Sequence, residues 1–457
     1  MRWIAVVLSL VAVVGCRTSA GDRSPDQASE SLTVPSAESV AAQVAAPPCD
    51  WPASGAWPVF QRNPARLGAS TAQGIVKPTL KWSKEVGIAS WLNNPVVVGE
   101  HVFVGSSGQA WNQPDGADGV SSMDLETGEA QWFFAVDGDV NGVAYANCRV
   151  FATSDAGLVV ALDARTGKVL WRFEAPAKIY TNPLPVGDLV IVGDAKGSVW
   201  AVDARDGEAR WSNRLSGPIR GGAAFDGARI FVTSQAMETA ALDPATGDFV
   251  WVRRLETPGG KEIYAAPTVV KGLLVVGYAR DTTYPVPAFV AYDAKTGADV
   301  WTASDPENLQ QSWGNVRSSP AVVDGRLVYG EPYSNRIVSI DAATGAVTSS
   351  TAAGPCMFPH WPSAAVAADV YYVPRHSGGL YAFDNASGRL NWALYLGDAN
   401  RPPLPFPDEL RDGDWSRCEW DPPVGRAIYA SPAIADDGTV IVATGDGYLH
   451  AVGNAGE

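Results

Sequence analysis

One pattern of apolar and polar positions recurs along most of this chain. An apolar, strand-like run with small alternate residues ends at an Asp, a polar turn follows, and the next run carries a Trp four residues after the turn Gly. The unit reads VALDARTGKVLW at 160–171, and its anchoring residues are Asp124, Asp163, Asp203, Asp243, Asp293, Asp341 and Asp384. A period of 39 to 50 residues with strand-like runs in each unit predicts the blades of a β-propeller.

Each part of the repeat has a structural role in a blade. The Asp side chain can accept backbone N–H groups in a tight turn, and Gly supplies the positive φ that ends it. A Trp on the outer strand of one blade can stack on the neighbouring blade and bury a large area at the joint. The sixth unit has Ser349 at the Trp position, so we expect the joint between blades six and seven to be the loosest.

The last unit, 428–454, has Gly453 in place of the Asp and ends before an outer strand. The missing strand is found near the N-terminus, where Leu80-Lys81-Trp82 aligns with Leu170-Trp171 of the second unit. We therefore predict an all-β fold: an eight-bladed β-propeller of four-stranded antiparallel blades, closed by the N-terminal strand around Trp82.

The N-terminus has the features of an export signal. A basic start precedes an apolar stretch, Trp3–Gly15, that is too short to span a bilayer and ends at Cys16. Small residues followed by Cys resemble the bacterial lipobox, so we expect lipidation at Cys16. Arg17 follows, where Asp is an inner-membrane retention signal, which favours the outer membrane, facing the periplasm or the cell surface. The predicted organisation is a signal peptide (1–15), a flexible tether (16–49), a lead-in segment (50–79) and the propeller (80–455) with an insertion at 398–427.

Net charge limits the class of partner, and the cysteine count bears on disulfide bonds. The formal net charge of −15 disfavours binding to nucleic acid. We expect a monomer that contacts envelope proteins. Four cysteines besides Cys16 are compatible with two disulfides in an exported protein, with three connectivities open. We favour Cys356–Cys418, which leaves Cys49 for Cys148. No Cys or His spacing indicates a metal site.

Candidate binding residues lie where the innermost strands begin. Three positions before a recurring Pro or small residue, the eight units carry Leu92, Asn141, Tyr180, Arg220, Tyr264, Arg317, Trp361 and Tyr429. We expect these side chains at one level around the axis, forming an aromatic and cationic funnel mouth suited to an anionic or planar ligand or a peptide. Loops that we expect on the same face add Glu331, Arg375 and His376, the 106–119 loop with Trp111, and the 398–427 insertion.

The repeat A-x-D-x-x-T-G-x-x-x-W resembles that of the quinoprotein-type (PQQ-like) β-propellers, and so does the segment Trp57–Gly68. Together with the lipobox-like residues before Cys16, the repeat resembles the BamB-like lipoprotein branch of that family. This resemblance implies a non-catalytic scaffold or binding protein without a cofactor. The alternatives are a dehydrogenase that uses pyrroloquinoline quinone (PQQ) and Ca²⁺, or a binder of a small ligand or peptide at the funnel.

Overall fold

In the part of the chain that the computed structural model describes, all regular structure consists of strands and turns. The described residues are 51, 55–89, 93–256, 261–280, 288–303, 316–331, 336–352, 362–375, 378–396, 404–405 and 428–456. They belong to the second of the two units into which the chain divides, Pro48–Glu457. Within these ranges we find no helix long and apolar enough to cross a membrane.

The predicted eight-bladed propeller is confirmed, since eight antiparallel blades follow one another along the chain; seven are four-stranded sheets, and the seventh blade has a short fifth strand added at its outer edge. Blades one to four comprise β2 (Val96–Val98), β3 (His101–Ser107), β4 (Asp118–Asp124), β5 (Ala130–Ala135); β6 (Val140–Ala146), β7 (Arg149–Ser154), β8 (Leu158–Asp163), β9 (Val169–Glu174); β10 (Leu184–Val186), β11 (Leu189–Gly193), β12 (Ser198–Asp203), β13 (Ala209–Arg214); β14 (Ala224–Phe225), β15 (Ile230–Thr233), β16 (Glu238–Leu242) and β17 (Phe249–Arg254). Blades five to seven comprise β19 (Thr268–Val270), β20 (Leu273–Gly277), β22 (Phe289–Asp293), β23 (Asp299–Ala303); β24 (Ala321–Val323), β25 (Arg326–Glu331), β26 (Arg336–Asp341), β27 (Val347–Ala352); β28 (Ala365–Val366), β29 (Val370–Pro374), β30 (Gly379–Asp384) and β31 (Leu390–Tyr395).

Blade eight closes the ring. Its strands, from the outer edge inward, are β1 (Pro78–Glu85), β35 (Tyr448–Asn454), β34 (Val440–Ala443) and β33 (Ala433–Ile434). The β1–β35 pairing places Trp82 opposite Ala451, as predicted for closure by the N-terminal strand. Two small additions complete the fold: a hairpin of β18 (Lys261–Glu262) with β21 (Ala279–Arg280), and β32 (Leu404–Pro405), which pairs with the outer strand of blade seven.

The Asp–Thr–Gly turn works as the repeat predicts. In blade two, Oδ1 of Asp163 accepts hydrogen bonds from the backbone N–H (2.9 Å) and the hydroxyl (2.7 Å) of Thr166. Gly167 has a φ of 68°, and a Cβ there would lie 2.7 Å from the indole ring of Trp132 in blade one. Only Gly satisfies both the backbone conformation and this close approach.

The Trp side chains join each blade to the next. A β-bulge near the start of the outer strand aligns each Trp with a small residue of the third strand, such as Ala161 opposite Trp171. The indole Nε1 then donates to a backbone carbonyl just after the next blade's turn Asp, at 2.9–3.1 Å: Trp82 to Leu125, Trp132 to Ala164, Trp171 to Ala204, Trp211 to Pro244, Trp251 to Ala294 and Trp301 to Ala342. Trp392 instead donates to Ile75 in the lead-in segment (2.7 Å), since blade eight has no turn Asp.

Blade six departs from this pattern. Ser349 lies opposite Ser339, so no indole ring stacks beneath the turn glycine of blade seven, Gly388. The carbonyl of Asn385, which follows the turn Asp of blade seven, accepts a hydrogen bond from Nη2 of Arg326 instead (3.1 Å). The joint therefore keeps a hydrogen bond and lacks the stacked ring. That it is the loosest joint stays a prediction.

The lead-in segment closes the axial channel at the end away from the predicted mouth. Its backbone carbonyls accept hydrogen bonds (2.7–2.9 Å) from the innermost strands of six blades, pairing Trp57 with Val97, Pro58 with Tyr145, Pro64 with Phe225, Ala65 with Val269, Leu67 with Val322 and Gly68 with Val366. Gln61, Arg62 and Arg66 adopt left-handed conformations with φ of 54–69°, which curl the segment around the axis. Backbone N–H groups that would otherwise face the channel are thereby satisfied.

Candidate functional site

A cavity of about 300 Å³, counted with its opening to solvent, lies on the propeller axis above the lead-in segment. Seven of the eight blades contribute to it. The lining residues are Phe60, Asn94, Asn182, Arg220, Gly222, Tyr264, Ala266, Arg317, Ser319, Ser363 and Ser431. We refer to this space as the axial cavity.

The axial cavity brings together three of the predicted mouth residues, Arg220, Tyr264 and Arg317. The guanidinium carbon of Arg220 lies 4.0 Å from the ring centroid of Tyr180, and that of Arg317 lies 5.0 Å from the ring centroid of Tyr264. Each arginine thus packs on the tyrosine of the preceding blade, at distances that permit cation–π attraction.

Two further predicted mouth residues belong to the described part of the chain. The ring of Tyr429 meets Trp111 edge to face at 5.3 Å, so the 106–119 loop of blade one contacts a predicted mouth residue of blade eight. Asn141 is buried and donates a hydrogen bond to the carbonyl of Ile179 (2.8 Å). The other two predicted mouth residues, Leu92 and Trp361, lie outside the described residues.

Arg375 lies within blade seven and is not among the residues that line the axial cavity. It is 1% exposed, donates a hydrogen bond to the hydroxyl of Tyr381, and lies 5.2 Å from that ring's centroid. Burial lowers the pKa of its guanidinium. The side chain of Glu331 and all of His376 fall outside the described residues.

The cysteine predictions stay untested as pairs. Cys148 is disulfide-bonded, while Cys49, Cys356 and Cys418 lie outside the described residues, as does the lipidation candidate Cys16. Of the 398–427 insertion the structure describes only strand β32.

A chain of hydrogen bonds around the cavity was missed by the sequence analysis. The N–H of Ser431 donates to Oδ1 of Asn94 (2.6 Å), and the N–H of Ser363 donates to Oγ of Ser431 (2.8 Å). The N–H of Ser319 donates to Oγ of Ser363 (2.9 Å), and its hydroxyl donates to the carbonyl of Ala266 (3.0 Å). These residues immediately precede the recurring Pro or small residue, so the repeat alignment contained the signal.

Arg66, in the lead-in segment, was also missed. Its side chain is fully buried, with Nε donating to the carbonyl of Ala223 (2.8 Å) and Nη1 to that of Phe60 (2.6 Å). Burial lowers the pKa of this guanidinium to about 9, so it stays protonated at neutral pH.

Acidic groups occur beside the 106–119 loop, away from the cavity lining. Burial raises the pKa of Asp118 to about 6, and it also raises the pKa of Asp139. Asp155 pairs with Lys178 at 2.9 Å. Across the described ranges, no three His, Cys, Asp or Glu side chains are grouped so that they could hold a metal ion.

Quinone chemistry with Ca²⁺ would require a carboxylate base and several oxygen ligands, carboxylates among them, at the cavity. The described lining contains no Asp, Glu or His, and its charged groups are guanidiniums. Guanidinium groups repel a cation and cannot accept a proton at neutral pH. The described side chains therefore do not fit a PQQ–Ca²⁺ centre.

Comparison with known proteins places the chain among propellers of two kinds. It is 28% identical over 161 residues to the lanthanide-dependent methanol dehydrogenase of Methylacidiphilum fumariolicum, a match that covers 32% of this chain and about a quarter (26%) of that enzyme. Among solved structures, BamB from Moraxella catarrhalis is similar with a TM-score of 0.58 and 16% identity, covering 82% of this chain and 99% of that one. A quinohemoprotein alcohol dehydrogenase from Comamonas testosteroni gives a TM-score of 0.61 and 16% identity, covering 88% and 81%.

The structural likenesses, at this level of identity, establish the fold. Membership comes from the family model of the outer membrane protein assembly factor BamB, which matches residues 116–220 and 211–354, together slightly more than half of the chain. The chain therefore belongs to the BamB-like family of PQQ-type repeat β-propellers.

Proposed function

We propose that this protein is a non-catalytic, membrane-tethered propeller that serves as a scaffold or binding protein in the bacterial cell envelope. The observation that carries the proposal is the set of side chains around the axial cavity. Two arginines, two asparagines, a tyrosine and three serines can bind a ligand, and none of them is a suitable general base at neutral pH.

The extent of the structural match supports the same proposal. The similar region covers nearly all of the Moraxella catarrhalis BamB chain (99%), so the propeller here has a counterpart in that whole protein. The name of the matching family model connects BamB with the assembly of outer membrane proteins. We infer a related position for this chain: lipidated at Cys16, anchored at the outer membrane, monomeric, and in contact with other envelope proteins.

A second candidate is a PQQ-dependent dehydrogenase, favoured by the match to a lanthanide-dependent methanol dehydrogenase. Residues outside the described ranges, such as Asp305, Glu307 and acids of the insertion, would have to supply the carboxylates for that activity.

Cofactor loading separates the two candidates. The purified protein is incubated with PQQ and either Ca²⁺ or La³⁺, and its melting temperature and dye-linked oxidation of methanol, ethanol and glucose are measured. Our proposal predicts no turnover and no shift that requires PQQ and metal together. A joint PQQ–metal shift with turnover of any of these substrates would establish the dehydrogenase instead.

A further inference from the structure

The axial cavity concentrates positive charge in a strongly acidic protein. The chain carries a formal net charge of −15, yet the charged side chains among the described lining residues are Arg220 and Arg317. The described lining therefore carries positive charge within a protein of strongly negative net charge.

Arg220 has donor capacity that the described residues leave unused. It forms no salt bridge with any of them, and its Nε is buried without a hydrogen-bond partner among them. Its contact with the ring of Tyr180 positions the guanidinium plane without using its N–H groups. A buried, unsatisfied guanidinium N–H is costly, so a ligand with acceptor oxygens would gain by meeting it.

Arg66 adds a third guanidinium behind the cavity wall. It is fully buried, and its Nη2 has no hydrogen-bond partner among the described residues. A Cβ built on Gly222, a lining residue, would lie 3.4 Å from that nitrogen. The absence of a side chain at Gly222 therefore leaves Nη2 of Arg66 close to the cavity.

Two serine hydroxyls complete the donor set. The Oγ atoms of Ser363 and Ser431 each accept a backbone N–H, at 2.9 and 2.8 Å, and neither hydroxyl donates to a described residue. Both side chains line the cavity. Each hydroxyl keeps its O–H available for a ligand acceptor.

We propose that the axial cavity binds a small oxyanion, either inorganic phosphate or sulfate or the carboxylate of a small organic acid. Arg220 and Arg317 bind its oxygens, Ser363 and Ser431 donate hydroxyl hydrogen bonds, and Arg66 adds attraction from behind Gly222. The inference goes beyond a scaffold role and does not depend on whether the propeller has an envelope partner.

The test is titration calorimetry and thermal shift of the full chain with sodium phosphate, sulfate or acetate, each at constant ionic strength against chloride. A ligand that binds the folded state raises the melting temperature. We expect saturable binding of at least one of these anions. Phosphate or sulfate binding identifies a tetrahedral oxyanion, acetate binding identifies a carboxylate, and binding of none overturns the proposal.

Three variants localise the binding. Arg220→Gln removes a lining charge and should weaken binding at least tenfold. Gly222→Ala keeps every charge, adds a methyl group at ordinary contact distances from its neighbours, and should also weaken binding because it shields Arg66. Arg254→Gln, on the outer strand of blade four with a side chain 58% exposed, is the matched control and should bind as wild type. Wild-type affinity in the cavity variants, or equal loss in the control, overturns the proposal. If Arg220→Gln fails to fold, Gly222→Ala compared with Arg254→Gln decides.

Discussion

The indole Nε1 of Trp82 donates a hydrogen bond of 2.9 Å to the carbonyl of Leu125, and this contact joins blade eight to blade one. The ring also lies beneath Gly128, whose added Cβ would approach it to 2.6 Å. Trp82 and Leu125 are separated by about one repeat in the chain. The contact makes the closing joint equivalent to the joints between consecutive blades.

Trp82→Ala should therefore destabilise the protein by about 3 kcal/mol or more, through lost burial and the unsatisfied carbonyl. Trp82→Phe keeps most of the ring area and should cost less. Urea denaturation measures both. A Trp82→Ala variant as stable as wild type would mean that the ring does not depend on this closure.

Ser349→Trp should stabilise the joint between blades six and seven by about 1 kcal/mol, because a buried indole adds apolar area beneath Gly388. Room for the ring is expected, since Trp132 already packs opposite a serine, Ser122. Trp171→Ser is the reverse change and should destabilise blade two. Both are measured by thermal denaturation, and hydrogen exchange in wild type should be fastest at the Ser349 joint. A destabilised Ser349→Trp variant would show that Arg326 and its neighbours already fill the space.

His450 should make blade eight sensitive to acid. The side chain is 2% exposed beside Thr444, and burial lowers its pKa to about 4. Between pH 6.5 and 4 the unfolded chain binds a proton that the folded protein excludes, so stability falls as the pH falls through this window. His450→Gln should reduce the loss of unfolding free energy between pH 7.5 and 4.5 by roughly 2–3 kcal/mol. An unchanged loss in urea denaturation would place the acid sensitivity elsewhere.

Asp118 should act with the opposite sign. Its pKa is raised to about 6, chiefly by burial. Between pH 6 and 4 the folded protein therefore holds a proton that the unfolded chain releases, and the unfolding free energy falls as the pH rises through this range. Asp118→Asn should raise the melting temperature at pH 7.5 and change it little at pH 4.5.

Asp115 supplies the matched control for that prediction. Its carboxylate accepts hydrogen bonds from the backbone N–H groups of Gln109 (2.7 Å) and Ala117 (2.8 Å), and these bonds lower its pKa. Asp115→Asn should consequently lower the melting temperature at pH 7.5. If both variants shift it in the same direction, the assignment of these two environments is wrong.

The fold could be predicted because its main determinants are local and repeated. The Asp163 and Thr166 turn, Gly167 at positive φ and the Trp four residues later all recur in register, and each has one mechanical role. Predicting the closing strand required comparing the two ends of the repeat array. The N-terminal strand that contains Trp82 aligns with the outer strands of the other units and completes the last unit. Nothing local to Trp82 indicates its partner, Leu125.

The cavity was predicted less completely because its residues come from two positions of the repeat and from one segment outside it. The mouth position contains Arg220 and Arg317, which line the cavity; that they bind a ligand stays a prediction. Neighbouring positions that supply Ser363 and Ser431 were not considered, although the same alignment contains them. Arg66 could not have been found by periodicity, since it belongs to the lead-in segment and reaches the axis through a non-repeating backbone path.

Affinity purification from detergent-extracted membranes tests the envelope scaffold proposal most directly. The full chain and a Cys16→Ala variant are expressed in a bacterial host and purified in parallel with quantitative mass spectrometry. We predict that the full chain fractionates with membranes and retains an envelope protein in near-stoichiometric amount, and that Cys16→Ala is released from the membrane fraction. Recovery of no envelope protein, together with PQQ-dependent turnover of an alcohol or aldose, would contradict the proposal.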